Sequence, residues 1–391
     1  MFTAEFTGIN DFLVKSSHLL LKYGVPRETR GMKCYELPEP FLFKITEPTA
    51  RLVTIPERKW NVYLPYAESL WLASGRNDMS FITHYLSRMA DFSDNGQYMR
   101  AGYGPRLRAY DGERQDYQIS NSLSSETHIV DQFKYVADCF GKDINTRRAV
   151  INIDDTMKDE FDVDGVLKVT KDIPCTRLLH FLRNGITGKL DLTVYMRSND
   201  MLWGASAVNI FNFTFMQEYF SSMLGMEIGN YYHIANNFHY YEDKRGMLEA
   251  LASIRDYCDE PYVYSKKFSS LQEFDEQIKI LSDEETKMRT SDYQYNPDLF
   301  VDSFFKDWYS VLFHKNHRSR PVIIKHPVLS KITSKFFLLD NIKAVPSRTT
   351  PLTRPLMVRQ PYSEAVKERR GGAVSSSSLR GEDREERWSL P

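Results

Sequence analysis

Apolar and polar positions change rhythm twice along this chain. Residues 1–264 alternate short apolar runs with turn signals, the pattern of an α+β domain. Within them KLDLTVYMR alternates strictly. Leu190, Leu192, Val194 and Met196 fall on one side, and Asp191, Thr193, Tyr195 and Arg197 on the other. That predicts a strand with one buried face and one polar face. NIFNFTFMQEYFSSMLG places Phe213, Met216, Phe220 and Met223 at helical spacing, with Gly225 suited to close the helix. This stripe reads as core rather than as a cofactor box. Residues 265–343 keep a helical period in LQEFDEQIKIL, LFVDSFFKDWYSVLF and HPVLSKITSKFFLL, which predicts a helical C-terminal extension of three helices. Residues 344–391 are rich in Pro, Ser, Gly and Arg and hold no period, which predicts a disordered tail. No internal repeat is visible.

Composition narrows the class. With 42% hydrophobic and 26% charged residues among 391, a globular core is expected. Lys+Arg is 51 and Asp+Glu is 52, so charge does not draw the whole chain to nucleic acid or to an anionic membrane. The four cysteines (Cys34, Cys139, Cys175, Cys258) form no CxxC pair, which argues against a zinc knuckle, a redox dithiol or a disulfide framework. A reducing, cytoplasmic setting is the expectation. The first residues carry Glu5 and Asp11 and lack the basic start of a signal peptide. No apolar run approaches the ~18 residues that a membrane span needs.

Five places could carry chemistry. Cys175 in KDIPCTRLLHFL follows Pro174 and precedes an apolar pattern read as helical. A cysteine at a helix start gains thiolate character, and Arg177 would add to it; an inert buried thiol is the plainer alternative. YMRSNDMLWGASAVN reads as a turn-rich loop. Its Arg197 and Ser198 suit a phosphate, and Asn209 can read a pyrimidine edge, although a polar turn would look the same. His239 and Tyr241 share a strand face and could hold a ribose hydroxyl or simply pack. His233 and His239 lack metal-ligand spacing, so no metal is expected. Arg147 and Arg148 stand at a strand start, solvated or facing an anion at a subunit boundary. Glu68 lies in the apolar run LPYAESLWLASG beside Trp71 and Leu72. Buried there it would have a raised pKa and could pass protons; on a wet helix face it would not.

In order along residues 27–264, these segments resemble the thymidylate synthase family, which includes the pyrimidine nucleotide hydroxymethylases. RETRG resembles its phosphate-loop arginine segment. LVTIPERKW and AESLWL resemble the strand and the helix that bears a proton-relay glutamate. DNGQYMRAGYGPRLR resembles its NG…YG segment, and NTRRAVINI the arginine pair that crosses a dimer. IPC resembles the nucleophile motif, YMRSND with the later VN the phosphate- and base-reading loop, and NNFHYY its HxY.

The resemblance implies a large mixed β-sheet with flanking helices, packed back to back in a homodimer. It implies that Cys175 adds to C6 of a pyrimidine nucleoside monophosphate, so that C5 can attack the one-carbon unit of 5,10-methylenetetrahydrofolate. Glu68 would relay protons, Asn209 would read the base, and Tyr103 would line the cavity with them. Arg30 (or Arg27), Arg197 and Ser198, with Arg147 and Arg148 reaching across the dimer, would bind the phosphate. His239 and Tyr241 would hold the sugar, and Asp200 and Trp71 would face the folate.

The sequence also departs from the family pattern. The stretch from Arg197 to Asn209 is one residue longer, Thr176 replaces a histidine, Asn237 replaces an aspartate, and HYLSRMADFSDNG has no tryptophan. A polar end, EERWSLP, stands where synthases close the site with an apolar one. Poorer exclusion of water favours 5-hydroxymethylation over methylation. The expectation is therefore a hydroxymethylase, with thymidylate synthase proper and a non-catalytic nucleotide- or RNA-binding protein as the alternatives. Asn209 suits uracil, but uracil or cytosine and ribose or deoxyribose stay open.

Overall fold

The computed structural model describes residues 1–29, 31–126 and 128–334. Strand β1 (Phe2–Phe6) and helix α1 (Ile9–Tyr23) precede a hairpin of β2 (Val25–Thr29) and β3 (Met32–Glu36), then β4 (Phe41–Ile45). Helices α2 (Tyr63–Ala73), α3 (Met79–Tyr85), α4 (Tyr103–Arg108) and α5 (Gln132–Lys142) follow. Next come β5 (Val150–Asn152), the short α6 (Thr156–Asp159), β6 (Thr176–Arg183), β7 (Leu190–Met196) and β8 (Asn199–Asp200). Then α7 (Ile210–Met223), β9 (Ile228–Ala235), β10 (Phe238–Tyr241), α8 (Arg245–Ser253), α9 (Leu271–Met288) and α10 (Ser303–Asn316).

Six strands form a mixed sheet in the order β1-β4-β9-β7-β6-β5, parallel at β1/β4 and β7/β9. Four form a smaller sheet, β2-β3-β10-β8. The two join at a bend. β7 runs into β8 through Arg197 and Ser198, and β9 runs into β10 through Asn236 and Asn237. Backbone bonds from Asn236 N to Met196 O (2.9 Å) and from Asn199 N to Asn237 O (2.8 Å) keep them paired across it. β6 is bulged at the same level, between Thr176 and Leu178, where Arg197 N donates to Cys175 O at 2.9 Å. Three adjacent strands therefore break together, and the break turns side chains out of the ladder.

The predicted alternation of β7 holds on its apolar side, where Leu190, Leu192, Val194 and Met196 are all buried. Its other side is half-buried, except for Asp191, which is buried and accepts from Asn230 N and Asn184 Nδ2. Helix α7 packs on the apolar side and is buried all round; of its fourteen residues only Ser222 is not buried. Gly225 follows it with φ of 64°, a left-handed turn that costs glycine little. A buried charge is tolerable only when paired. On α7, Glu218 meets Arg51 Nη1 at 2.6 Å and Lys266 Nζ at 2.8 Å.

The C-terminal helices share this core. Phe304 stacks on Phe215 (4.6 Å between centroids), Tyr219 on Phe274 (4.5 Å), and Trp308 Nε1 donates to Tyr66 O at 2.8 Å. Residues 327–334 form the start of the third predicted helix. The remainder of that helix and the tail 344–391 lie outside the described residues.

Three local expectations are corrected. Cys175 does not begin a helix; TRLLHFLR is strand β6, held by β5 on one side and β7 on the other. Its apolar residues satisfy both periods, and pairing on two edges decides for the strand. LVTIPERKW forms no strand either. It is extended and ends in a 3-10 turn at Pro56–Arg58. The loop 195–209 is not turn-rich: after β8 it is a π-helix, Met201–Asn209, running directly into α7. A π turn takes up more residues than an α turn, so the nine residues Met201–Asn209 fill less length along the axis before α7 begins.

Candidate active site

The bend forms the floor of a cavity of about 570 Å³. Cys175, Arg197 and Ser198 line it from the broken strands, and His239 and Tyr241 from β10. Glu68 and Trp71 enter from α2, Tyr103 from the start of α4, and Asp200 and Asn209 from the two ends of the π-helix. Ten of the residues singled out from sequence thus face one space. Arg30 lies outside the described residues, while Arg27 of the same segment lines the cavity. Arg147 and Arg148 are exposed on the turn before β5 and do not line it. A larger hollow of about 720 Å³, near Thr46, Lys189 and Lys266, contains none of these residues.

The segment carrying Cys175 is tied at several points. Arg197 donates from Nε to Pro174 O (3.0 Å) and from Nη2 to Ile173 O (3.1 Å). Asp172 accepts from Ala101 N at 2.8 Å, and burial pushes its carboxyl up to about 6. On the other side, Thr176 N donates to Tyr103 Oη at 3.1 Å. The half-buried Cys175 is thus held between two anchors.

Above it, burial pushes the Glu68 carboxyl up to about 7, against a hydrogen bond with Asn212 that favours the charged form. Burial likewise raises Tyr103 to about 12, with Cys175 adding to the shift. Glu68 can therefore hold or release a proton near neutrality, while Tyr103 keeps its own. Burial lowers His239 and raises Asp200, and among the described residues no group bonds His239 Nδ1.

Sequence reasoning missed Glu36, Asn199 and Arg58. Glu36, 6% exposed, sits opposite His239 in the β3/β10 ladder. It pairs with Arg27 Nε at 2.6 Å and accepts from Asn237 Nδ2, whose amide oxygen accepts from Ser198 Oγ at 3.2 Å. The signal was the period of two that puts Cys34 and Glu36 on one buried side of β3. Arg58 braces the π-helix, donating from Nε to Ser206 Oγ (3.0 Å) and from Nη2 to Leu202 O. Trp60 Nε1 donates to Ala207 O at 2.9 Å, and Asp200 caps the turn by accepting from Trp203 N.

A second chamber of about 540 Å³ shares Leu64, Leu86, Phe92, Asp200, Trp203 and Tyr241 with the first. Trp60 and Trp203 give it flat walls, and its rim is mixed: Lys33 is paired with Glu242 and Lys244 with Asp243, while Lys59 and Arg88 add positive charge. Among the described residues, no group of three or more His, Cys, Asp or Glu is placed to hold a metal ion, and no helix is long and apolar enough to cross a membrane.

The family model described as thymidylate synthase matches residues 17–300. The chain belongs to the thymidylate synthase family. Among curated relatives, it is 36% identical over 228 residues to a deoxyuridylate hydroxymethyltransferase of Bacillus phage SP01, a match covering 58% of this chain and 55% of that one. It is 31% identical over 232 residues to the protein of that name in Pseudomonas phage M6, covering 59% of each. A third, from Delftia phage PhiW-14, is 35% identical over 205 residues, covering 51% of each. The chain therefore spans about half the length of these relatives. The mixed sheet with flanking helices is the α+β fold expected of a thymidylate synthase family member.

Proposed function

We propose that this chain is a transferase that adds a one-carbon unit to C5 of a pyrimidine nucleoside monophosphate, deoxyuridylate by analogy with its relatives, and ends in 5-hydroxymethylation. The observation that carries the reading is that Cys175, Glu68 and Asn209 line one cavity, which opens onto a second chamber. In this reading the Cys175 sulfur bonds to C6 of the ring, and the electron pair displaced from the C5–C6 double bond makes C5 nucleophilic. Glu68 passes the accompanying proton. Asn209 orients the base, Arg197, Ser198 and Arg27 or Arg30 hold the phosphate, and His239 with Tyr241 holds the sugar. The C5 hydrogen leaves as a proton, water supplies the hydroxyl of the transferred carbon, and the electron pair this returns to C5 re-forms the double bond as the C6–S bond breaks and the sulfur leaves as thiolate.

The second chamber would take 5,10-methylenetetrahydrofolate, with its flat aromatic walls against the rings and Lys59 and Arg88 toward the carboxylates. Asp200 and Trp203 would flank its ring system; Trp71, buried in the wall of the first cavity, would stand behind. When bound, this cofactor supplies the one-carbon unit at the oxidation level of formaldehyde.

A homodimer belongs to the same reading. The face of the large sheet away from α7 carries Leu178, Tyr195, Tyr232 and Ile234, none of them fully buried in the single chain. A second copy there would cover them and bring Arg147 and Arg148 toward the neighbouring phosphate site.

One mixture tests the function: the protein, methylenetetrahydrofolate and dUMP, dCMP, UMP and CMP, followed by mass spectrometry. A gain of CH2O on one nucleotide is expected. A gain of CH2 with stoichiometric dihydrofolate would instead make the chain a thymidylate synthase. No product, together with nucleotide binding unchanged in Cys175→Ser, would leave a binding protein.

A further inference from the structure

Asn199 begins β8 at the bend and is 2% exposed. Its Nδ2 lies 3.0 Å from His233 Nε2 and 3.0 Å from Met196 Sδ. Both of those atoms accept a hydrogen, which fixes the amino group on that side and the oxygen on the other. His233 supports the same polarity. It is wholly buried, burial lowers it to about 3, and its Nδ1 meets Tyr231 Oη at 2.7 Å. A neutral imidazole whose Nε2 accepts from Asn199 carries its hydrogen on Nδ1 and donates it to the tyrosine. The chain Tyr231–His233–Asn199 thus aims Asn199 Oδ1 away from the histidine, and among the described residues no donor meets that oxygen.

That oxygen points under the π-helix at Gly204. A Cβ on residue 204 would lie 2.4 Å from Asn199 Oδ1 and 2.9 Å from Asn209 Oδ1. Only glycine leaves room there for the two amides to converge. Two carbonyl oxygens that converge without a hydrogen between them repel. A half-turn of the Asn209 amide exchanges two atoms of nearly equal size and turns its amino group to the side of Gly204 where the unsatisfied acceptor lies. The Asn209 oxygen then faces the cavity.

We propose that Asn199 is a positioning residue that holds the Asn209 amide one way round, amino group inward and oxygen toward the ligand, so that the cavity favours uracil over cytosine. The proposal rests on the reading that the cavity takes a pyrimidine nucleotide. An outward oxygen accepts the N3–H of uracil. Cytosine presents a bare N3 lone pair to the same atom, and accommodating it would turn the Asn209 oxygen back against Asn199.

Calorimetric titration of dUMP and dCMP tests this without cofactor or turnover, so an absence of one-carbon transfer would refute the proposed function and leave this test intact. In Asn199→Ala the ratio of the dCMP to the dUMP dissociation constant is expected to fall at least tenfold, mainly through weaker dUMP binding. Gly204→Ala wedges a methyl between the two amides without removing either, so it should reproduce the loss even if Asn199→Ala fails to fold. Equal weakening of both nucleotides, or an unchanged ratio, in the folded variants would overturn the proposal, since a packing defect cannot discriminate between the rings.

Discussion

The floor and the wall of the cavity are built by different means. The floor is set first by backbone: Cys175, Arg197, Ser198 and His239 stand where paired strands break together, and main-chain bonds place them, with side-chain ties from Arg197, Asp172 and Tyr103 added at Cys175. The wall is a π-helix braced by the side chains of Arg58, Trp60 and Asp200. A floor of this kind tolerates changes in side chains other than those three ties. The wall depends on its side-chain braces throughout, so small substitutions can retune what it contacts.

Four substitutions sharpen or break that contrast. The largest effect belongs to the floor's own chemistry. Cys175→Ser should cost about 10⁴-fold or more in turnover while nucleotide affinity stays within a few-fold, as single-turnover assays and titration would show. Next is Glu68→Gln, expected to cost ~10²–10⁴-fold. Its carboxyl is raised to about 7, so it is protonated below that pH and charged above it. With Glu68 as proton donor, wild-type turnover falls as pH rises through about 7, and the glutamine variant shows no inflection there.

The third variant addresses the wall. Arg58→Ala removes the donors to Leu202 O and Ser206 Oγ, and should cost ~1.5–3 kcal/mol in urea unfolding. It should also raise KM for nucleotide. Unchanged KM would mean that the π-helix keeps its shape unaided. The smallest effect returns to the floor. Thr176 Oγ1 is buried with no partner among the described residues, and it is the Thr176 backbone N–H that bonds Tyr103 Oη. Thr176→Val should leave KM unchanged and raise stability by up to ~1 kcal/mol, because it removes an unsatisfied polar atom and keeps the shape. A large loss there would show that the floor leans on side chains too.

What could be read from sequence follows the same division. Strand β7 and helix α7 were legible because one face of the strand and the stripe of the helix meet a common core, and α9 and α10 because they add to it. Strand β6 was not, because Leu179 and Phe181 fit either period and only its two neighbours decide. The wall was legible in its residues, Asp200 and Asn209, and not in its shape: the π turn between them is braced by Arg58 and Trp60, more than 140 positions earlier. Glu36 escaped because a charged residue in a short strand resembles a solvent-facing one until His239 is placed opposite.

The ion cluster on α7 has a consequence for truncation. Glu218 shares its charge with Arg51, from early in the chain, and with Lys266, just before α9. Phe274, Phe304 and Trp308 cover Tyr219 and Phe215 on the same helix. Cutting the chain before Lys266 would bare these rings and leave the buried carboxylate with half its ionic partners. The helices are by this packing part of the scaffold of α7, and the wall that runs into α7 stands or falls with them.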